Sequence, residues 1–369
     1  TVTTHFEYHC MEDNLLKLDM LGHDDPTMIK MLEDLTGVNA RAIPLDDPDT
    51  MSIFTSSKVL GFENDEILGP TGAVAIPEFN TRFTRGMLMD TMPKDFNTLV
   101  RLSGFSHGTD VWLGNARELI VSGTASVLET VGCRDDIMLY LISMGLDPKM
   151  SFKIMEAVRK GKVKKKGFEE GWEEAMRDHE VPDWYIGSLA KIGYLFPKAH
   201  AVAYVMMAFR IAWFKVHQPL AFYATFFSIR AKAFDAEYCC AGLDAVKRKI
   251  REIENNKDAT DVEQNLLVTL EVCYEFYLRG FHFDTISIYD SDATRFRITD
   301  NGLLPPFVTV RGLGETAALD TVEKRKGKTF ISVEEFATTC NKLSKTHIEQ
   351  LKALGAFAGM ADTSQVSLF

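Results

Sequence analysis

The sequence has no cysteine pattern that would indicate a metal site or a disulfide framework. Its cysteines show no Cys-x-x-Cys motif and no regular spacing; they are Cys10, Cys133, Cys239, Cys240, Cys273 and Cys340. Zinc sites and small disulfide-stabilised domains need cysteines at regular short spacings. We therefore expect reduced, buried thiols, as in a protein of a reducing compartment.

The chain also lacks a secretory signal, an uninterrupted membrane span and an excess of positive charge. Its longest apolar stretch, residues 199–216, is interrupted by Arg210 and Lys215, which favours a buried helix over a membrane span. The formal net charge of −11 argues against a protein that binds nucleic acid over most of its surface, although it allows a local basic site. The first residue is not methionine and an apolar run follows early, so we expect a piece of a longer protein.

What the sequence does contain is mostly helical pattern, and its 369 residues are enough for two or three domains. The segment DDPTMIKMLEDLTG (24–37) predicts a helix, with aspartate at its start, proline in its first turn and glycine after its end. Helical patterns dominate residues 81–255, and GFHFDTISIYD (280–290) predicts a hairpin or short strands. We therefore predict a mainly α fold with small β elements (α+β).

A short run near the start, NLLKLDML (14–21), places Lys17 and Asp19 at alternate positions among apolar residues. Side chains two residues apart lie on the same face of a strand. The run therefore predicts a strand that presents both charges on one face.

The run FPKAHAVAYV (196–205) concentrates polar side chains at the start of an apolar helix. Pro197 suits the first helical turn, where free N–H groups and the positive end of the helix dipole attract anions. His200 and Tyr204 lie on one face of the helix because they are four residues apart, and Lys198 adds a cation. Two interpretations stay open: a triphosphate site with its base above the tyrosine, and a core helix whose polar start reaches solvent. Spacing alone favours the second.

Two other stretches carry candidates for binding the same anion. SGFSHGTDVWLGNARELI (103–120) gathers Ser106 and His107 with other polar side chains around glycines, a composition typical of a loop that lines a site. Arg82 and Arg85 are three residues apart and share a helical face. They either pair with local acids or bind a phosphate.

The stretch VTVRGLGETAAL (308–319) has the glycine-rich turn of a helix-hairpin-helix, a clamp for the DNA backbone. Two glycines permit a tight turn whose N–H groups point outward at a helix start and form a nest for a phosphate. The predicted DNA contacts, including cations beyond the turn, are Arg311, Gly312, Leu313, Gly314, Lys324, Arg325 and Lys326. A plain helical hairpin is the other interpretation, and KLSKTHIEQLKALGAF (342–357) looks like a second, degenerate hairpin.

The chain ends in QVSLF (365–369) after a small polar linker. A free apolar terminus is unfavourable in water, so we expect it to dock in a pocket on a partner. The residues predicted to make that contact are Gln365, Val366, Leu368 and Phe369. A tail folded back on its own domain is the alternative.

In their order along the chain, these stretches closely resemble the C-terminal quarter of PolC-type DNA polymerase III alpha subunits, the replicative polymerases of low-GC Gram-positive bacteria. The resemblance covers essentially the whole chain. SHGTDVWLGNA (106–116) and LFPKAHA (195–201) are its most specific motifs. It also rests on LLKLDMLGHDDPT, IPEFNTRFTRGML, VRGLGETAAL and the terminal SQVSLF.

The resemblance implies four segments. They are the end of a nucleotidyltransferase palm (1–65), helical fingers (66–255), a duplex-binding domain with the helix-hairpin-helix (256–360) and a clamp-binding tail (361–369). It also implies that NLLKLDML is the last palm strand and that Asp19 is a catalytic carboxylate that binds Mg²⁺.

The resemblance further implies that fingers residues hold the incoming dNTP. The residues to which this role carries over are Arg82, Arg85, Ser106, His107, Lys198, His200, Tyr204 and Arg210. The implied reaction is two-metal phosphoryl transfer from a dNTP to a primer 3′-hydroxyl. The implied partners are primer–template DNA, the sliding clamp and other replisome subunits, in the cytoplasm at the nucleoid, and no membrane is expected.

The chain departs from the family pattern in ways that matter for activity. No Asp-x-Asp strand precedes Asp19, and the proofreading exonuclease and PHP domains are absent, so we expect the chain alone not to polymerise DNA. Val366 stands where the family usually has leucine. The missing methylene weakens binding in the pocket by about 1 kcal/mol.

Two other functions stay open on the residues alone. A non-catalytic adaptor for DNA and the sliding clamp would keep the hairpin and the tail, but it has no need of Asp19 or the Lys-Ala-His run. A hairpin-type DNA glycosylase would need a catalytic aspartate beyond the glycine turn, where this chain has Glu334 and Glu335.

Overall fold

Helices dominate the computed structural model, which describes residues 2–7, 10–11, 14–16, 18 and 22–363. The first helices are α1 (Asp25–Thr36), α2 (Pro48–Ser52), α3 (Arg82–Thr91), α4 (Phe96–His107), α5 (Arg117–Val121), α6 (Arg134–Ser143), α7 (Pro148–Arg159), α8 (Lys162–Lys166), α9 (Trp172–Asp178) and α10 (Asp183–Lys191). The others are α11 (Lys198–His217), α12 (Pro219–Ile229), α13 (Ala236–Cys239), α14 (Leu243–Asn255), α15 (Asp261–Leu278), α16 (Glu315–Lys324), α17 (Val333–Thr339) and α18 (Lys345–Ala353). The predicted mainly α fold with small β elements is confirmed.

Helix α1 shows how closely local signals determine element bounds. It begins after Asp24, carries a proline in its first turn and ends at Gly37, whose φ of 71° is left-handed. Glycine adopts that conformation without a steric cost, and its N–H donates back to the carbonyl oxygen of Glu33. Met28 and Leu32 are buried against the core. The predicted helix is confirmed.

Helix α11 is the central helix of the larger core. Phe209, Ile211 and Phe214 are fully buried along it, and it packs against α1, α2, α4 and α12. By length and composition this helix could cross a membrane, but half of its most apolar stretch is buried within the protein. Burial among other helices is what an all-round apolar helix needs in a globular fold.

The described residues form two hydrophobic cores. The larger core extends from Met28 to Leu303 and includes the buried face of α15. The smaller core extends from Ile286 to Phe357 and holds α16, α17 and α18 together, and Leu354 contacts both cores. Helix α15 therefore packs with the predicted fingers residues, while the hairpin segment has a core of its own. The predicted domain bounds stay a proposal.

A small sheet packs on the larger core, which includes Leu303 and contacts Phe283. Its strands are β1 (His282–Phe283), β2 (Arg297–Ile298) and β3 (Gly302–Leu304), in the order β1-β3-β2. Strand β1 pairs with β3 in parallel, and β2 pairs with β3 antiparallel. The 280–290 stretch thus forms a short strand and not a hairpin, because Ile286 and Ile288 leave the sheet and enter the smaller core.

The strand predicted for residues 14–21 does not form in its described part. Residues 14–16 and 18 have turn or irregular backbone, and their leucines are exposed. A strand is stable only when its N–H and C=O groups pair with a neighbouring strand, and the described residues provide none there. Lys17 and Asp19 lie outside the described residues, so the structure does not test the proposed metal ligand.

The predicted polar loop at residues 103–120 is mostly helical. Helix α4 continues through His107, and a π-type turn at Trp112–Ala116 leads directly into α5. Trp112 is buried and stacks on Phe105 with ring centroids 5.3 Å apart. The buried amide of Asn115 accepts a hydrogen bond of 2.6 Å from the Ser188 hydroxyl. Several polar side chains of this stretch therefore hold the fold together.

Candidate nucleotide site and helix-hairpin-helix turn

Helix α11 begins one residue later than its proline suggested. Pro197 is the N-cap residue, and Lys198 is the first helical residue. The Lys198 N–H donates to Asp135 Oδ2 of α6 at 2.7 Å. A carboxylate of the protein therefore already caps the first amide of the helix. An additional anion at this end would be bound mainly by side chains.

The side chains at this helix start form a ring cluster of Phe196, His200, Tyr204, His107 and His23. Centroid distances are 4.8 Å from Phe196 to His200 and 4.6 Å from His200 to Tyr204. His23 lies 4.7 Å from Tyr204, and His107 lies 5.4 Å from His200. Aromatic rings grouped in this way can receive a planar base beside a phosphate group.

Two carboxyl groups adjoin the ring cluster. The Glu78 carboxyl lies 3.1 Å from His107 Nε2, and only 9% of the Glu78 side chain is exposed. Burial raises the pKa of Glu78, against the effect of the nearby His107. Burial also raises the pKa of Asp25, whose Oδ2 has no hydrogen-bond partner among the described residues. The cluster therefore combines imidazoles with carboxyls that are costly to ionise.

The electrostatic surroundings favour neutral rings on α11. Burial lowers the pKa of His200, and the charges of His107 and His23 lower it further. Burial raises the pKa of Tyr204, with smaller contributions from Glu78 and Asp25. A neutral imidazole presents one donor and one acceptor. Among the described residues no hydrogen bond engages the ring nitrogens of His200.

Most of the residues predicted around the α11 start lie there, although not all face outward. Lys198 is partly buried and forms no ion pair with a described residue. The Ser106 hydroxyl donates to the Ser103 carbonyl oxygen at 3.0 Å and lies 3.4 Å from His107 Nδ1. Ser106 is therefore engaged within the turn that supports His107.

Arg82 and Arg85 are paired with local acids, which is the first of the two predicted alternatives. Arg82 forms an ion pair with Glu254 of α14. Arg85 is buried, contacts Glu271 of α15 at 3.3 Å and donates to the Leu68 carbonyl oxygen at 3.0 Å. Both guanidinium groups thereby connect α3 to the helices packed against it.

Arg210 is set apart from the ring cluster by helix geometry. It follows Tyr204 by six residues, which corresponds to about 9 Å along the axis and a different face of the helix. Its Nε is buried without a hydrogen-bond partner among the described residues. The structure thus brings His107, His200 and Tyr204 together and leaves Arg210 outside the group.

The predicted phosphate turn has the expected backbone. A short 3₁₀ helix at Phe307–Thr309 precedes it, and Gly312 has a φ of 77° that favours glycine. Gly314 is the N-cap of α16, while the side chain of Leu313 is buried in the smaller core. Leu313 can thus contact DNA only through its backbone. At the second hairpin, α17 and α18 are joined by residues 340–344.

The arginine of this turn is bound to an acid of the larger core. Arg311 donates to Asp235 Oδ2 from Nη2 at 2.7 Å and from Nε at 2.9 Å. Glu237 lies 3.2 Å from the same guanidinium group, and the Tyr238 ring lies 5.3 Å from it. Arg311 therefore connects the hairpin turn to α13 in this conformation.

The cationic side chains beyond the turn differ in how firmly the protein holds them. Arg325 is partly buried, donates to the Ile288 carbonyl oxygen at 3.0 Å and stacks on Phe307, and burial lowers its pKa. Lys324 contacts Asp320 and Asn341. Lys326 pairs with Glu323 at the surface, where such a pair contributes little. Lys324 and Lys326 can exchange these partners for phosphates more readily than Arg325 can.

Two predicted sites, the metal ligand and the clamp-binding tail, are not tested by these contacts. Asp19 and the tail residues Gln365, Val366, Leu368 and Phe369 lie outside the described residues. Within the part of the chain that the structure describes, no group of three or more His, Cys, Asp or Glu side chains could hold a metal ion. The described residues by themselves therefore do not form a site for Mg²⁺.

Sequence reasoning missed Glu78, Asp25, His23 and Asp235 as members of these sites. Each becomes significant only through a partner far along the chain, such as His107 for Glu78. The sequence shows only that several acidic residues lie near the predicted cations. It does not show which acid pairs with which cation.

Comparison with known proteins agrees with this architecture. The family described as bacterial DNA polymerase III alpha subunit finger domain matches residues 25–180. The family described as helix-hairpin-helix motif matches residues 280–366.

Curated relatives match along the whole chain. The chain is 54% identical to the PolC-type DNA polymerase III of Caldanaerobacter subterraneus subsp. tengcongensis over 369 residues, which is 100% of this chain and 26% of that protein. It is 50% identical to the corresponding proteins of Halalkalibacterium halodurans and Streptococcus mutans, with 100% of this chain and 25% of each protein covered. The chain thus spans about a quarter of the length of these relatives. It belongs to the PolC-type DNA polymerase III family and carries the family's finger domain and helix-hairpin-helix motif.

Proposed function

We propose that this chain supplies the dNTP-binding and duplex-binding surfaces of a replicative DNA-directed DNA polymerase, and that the start of α11 receives the incoming dNTP. The observation that carries the proposal is the ring cluster beside Lys198, because aromatic rings next to a cation that forms no ion pair with a described residue fit a base and its phosphates. Membership of a polymerase family supports the same assignment.

Within the site, the chain's own residues divide into two roles. Lys198 supplies positive charge for the triphosphate, and His200 can donate one hydrogen bond to it. Tyr204 and His23 offer ring faces for the base. Arg82, Arg85, Ser106 and Arg210 are engaged or placed elsewhere in this conformation, so a direct role for them requires that their present contacts exchange.

The glycine turn before α16 is proposed to bind the DNA backbone. Among the described residues, the N–H groups of Gly312, Gly314 and Glu315 donate no hydrogen bond within the chain, which leaves them available to a phosphate. Lys324 and Lys326 add cations on the following helix. The affinity that such contacts provide depends strongly on salt and does not read base sequence.

The remaining predictions depend on residues outside the described part. We propose that Asp19 is one of the carboxylates that hold Mg²⁺ for phosphoryl transfer, with other ligands beyond this chain. The tail residues 365–369 are proposed to bind the sliding clamp, and the complete protein to act at the bacterial nucleoid. An adaptor without catalytic function would have no use for the ring cluster, so the polymerase assignment is preferred.

The proposal is tested by Lys198→Ala in a polymerase that contains this chain. Loss of one charge-assisted contact corresponds to about 1.5–3 kcal/mol, so we expect the dNTP KM to rise about tenfold or more at unchanged primer–template affinity. Lys153→Ala, an exposed lysine on α7, is the matched control. An unaltered KM and kcat for Lys198→Ala would favour the core-helix interpretation of FPKAHAVAYV.

A further inference from the structure

Glu78 occupies a backbone conformation that glutamate normally avoids. Its φ is 68°, in the left-handed region where a side chain other than that of glycine is strained. The carboxyl is nevertheless buried, with 9% of the side chain exposed. A strained residue that also buries an ionisable group is unfavourable for folding on both counts, so its surroundings must impose the arrangement.

The loop that carries Glu78 is fastened by the core. Lys215 of α11 is fully buried, and its ammonium donates to the carbonyl oxygens of Gly72 at 2.8 Å and Val74 at 2.6 Å. The Gly72 N–H donates to the Ile53 carbonyl oxygen at 2.8 Å. A Cβ at Gly72 would lie 2.8 Å from Leu60 Cδ1, so the backbone is closely enclosed there. These contacts determine the path of the loop and the position of Glu78.

Glu78 directs its carboxyl at one nitrogen of the imidazole of His107. The distance from Glu78 Oε2 to His107 Nε2 is 3.1 Å. On the other side of the ring, Nδ1 lies 2.7 Å from the Ser103 carbonyl oxygen, and it must carry a proton because a carbonyl only accepts. Nδ1 of His107 is therefore hydrogen-bonded within the protein, and Nε2 lies against the Glu78 carboxyl. Neither nitrogen is open to a phosphate in this conformation.

His107 instead contributes its ring to the packing of the site. Its centroid lies 5.4 Å from His200 and 6.4 Å from Tyr204, with the latter pair stacked. If His107 turned about its side-chain torsions, the surface against which these α11 rings rest would change. The orientation of His107 thus bears directly on the residues proposed to meet the dNTP.

We propose that Glu78 is a positioning residue of the nucleotide site, because its carboxyl holds the His107 ring in the orientation that supports His200 and Tyr204. This inference rests on the proposed function of the α11 start. Glu78 acts through His107 and does not touch the dNTP. At metal sites, removal of the group that orients a ligating histidine typically changes affinity or activity by about tenfold to a hundredfold, and we expect an effect at the low end of this range here.

Substitution of Glu78 by glutamine or by glycine separates the effect of the contact with His107 from the effect of the backbone strain. Glu78→Gln keeps a group that can donate from its amide to His107 Nε2. Glu78→Gly removes the contact and suits a φ of 68°, so it introduces no new backbone strain. Glu180→Gly is the matched control, because Glu180 has a φ of 59° and an exposed side chain.

The first measurement is the ¹⁵N imidazole spectrum of the nucleotide-free chain. We expect the His107 Nε2 signal to be alike in the wild type, Glu78→Gln and Glu180→Gly, and to move toward that of a solvated nitrogen in Glu78→Gly. The Nδ1 nitrogen should stay protonated against the Ser103 carbonyl oxygen in all four proteins. The second is steady-state kinetics of a polymerase that contains the chain. We expect the dNTP KM to rise about tenfold in Glu78→Gly, with kcat little changed, and to be largely restored in Glu78→Gln.

Opposite results would overturn the inference. An unchanged His107 spectrum in Glu78→Gly would show that Glu78 does not hold the ring, and a KM raised equally in Glu78→Gln would show that charge matters and orientation does not. The spectra contain no nucleotide, so they test the contact independently. If the spectra are as expected but Lys198→Ala leaves dNTP kinetics unaltered, the proposed function fails and the ring-holding role stands.

Discussion

At the scale of single residues, the environment decides what a charged side chain can do. Lys198 and Lys215 belong to the same helix, yet one is partly open and unpaired among the described residues, while the other is fully buried. Lys215 contacts Glu275 at 2.7 Å, and Glu275 also accepts from the Tyr223 hydroxyl at 2.7 Å. Removal of one partner of such a buried pair lowers stability strongly, because the other charge is left buried without a partner.

We expect Lys215→Met to lower the free energy of unfolding by about 3–5 kcal/mol, because it leaves Glu275 buried without its partner. It also removes the donor to the Gly72 and Val74 carbonyl oxygens. Urea unfolding measures the change, with Lys153→Met as a surface control. A loss as small as that of the control would show that the buried pair contributes no net stability.

The same lysine predicts a pH dependence. Burial lowers the pKa of Lys215 to about 8, against an ordinary value of 10.5. Between these values the unfolded chain binds more protons than the folded chain, so the contribution of Lys215 to stability rises with pH. The stability gap between wild type and Lys215→Met should therefore widen from pH 8 to pH 10 in urea titrations. A gap that narrows over this range would contradict the lowered pKa.

Asp19 is the residue on which the catalytic assignment depends. In a polymerase that contains this chain, Asp19→Asn should abolish primer extension and spare primer–template binding, because it removes the proposed metal ligand and little contact area. Extension assays and DNA-binding titrations measure the two effects separately. Loss of DNA binding in the variant would instead indicate a structural role.

At the scale of elements, ion pairs join helices that are distant in sequence. Arg85 connects α3 to α15, and Arg311 connects the hairpin turn to α13. Each was predicted to bind phosphate, and each is held by carboxylates in this conformation. Such a pair positions one element against another, and DNA phosphates compete with it only where the pair is exposed.

The Arg311–Asp235 contact can be tested without disturbing α13. Asp235 is the N-cap of that helix, and asparagine keeps the capping oxygen while it removes the charge. We expect Asp235→Asn to raise duplex affinity and to steepen the salt dependence by about 0.9 in log–log slope, because one more cation becomes available to a phosphate. Asp244→Asn on α14 is the control. An unchanged slope would show that Arg311 remains structural.

At the scale of the whole molecule, each of the two hydrophobic cores supports a different candidate binding surface. The larger core positions the ring cluster, and the smaller core positions the glycine turn and α16–α18. The Arg311–Asp235 contact joins them, and Leu354 packs against both. This division allows each surface to be altered by mutation with limited effect on the other.

The tail, residues 365–369, is proposed to add a third surface, for the sliding clamp. Deletion of residues 365–369 should leave distributive synthesis intact and reduce synthesis that depends on the clamp, because the tail contributes no predicted contact to nucleotide or duplex. Primer extension with and without the sliding clamp measures the difference. Clamp stimulation that survives the deletion would contradict the assignment of QVSLF.

The sequence by itself determined the features that depend on neighbours along the chain. Asp24 and Gly37 limit α1, Gly312 permits the turn before α16, and the motif order identifies the family. These signals are local because helix caps and turns involve residues a few positions apart.

Only the tertiary structure decided which charges are free. It pairs Arg85 with Glu271, Arg311 with Asp235 and Glu78 with His107. The physical reason is that an ion pair forms wherever packing brings two groups within hydrogen-bond distance, and burial then sets its strength. Packing of distant elements is not encoded in the spacing of any one motif.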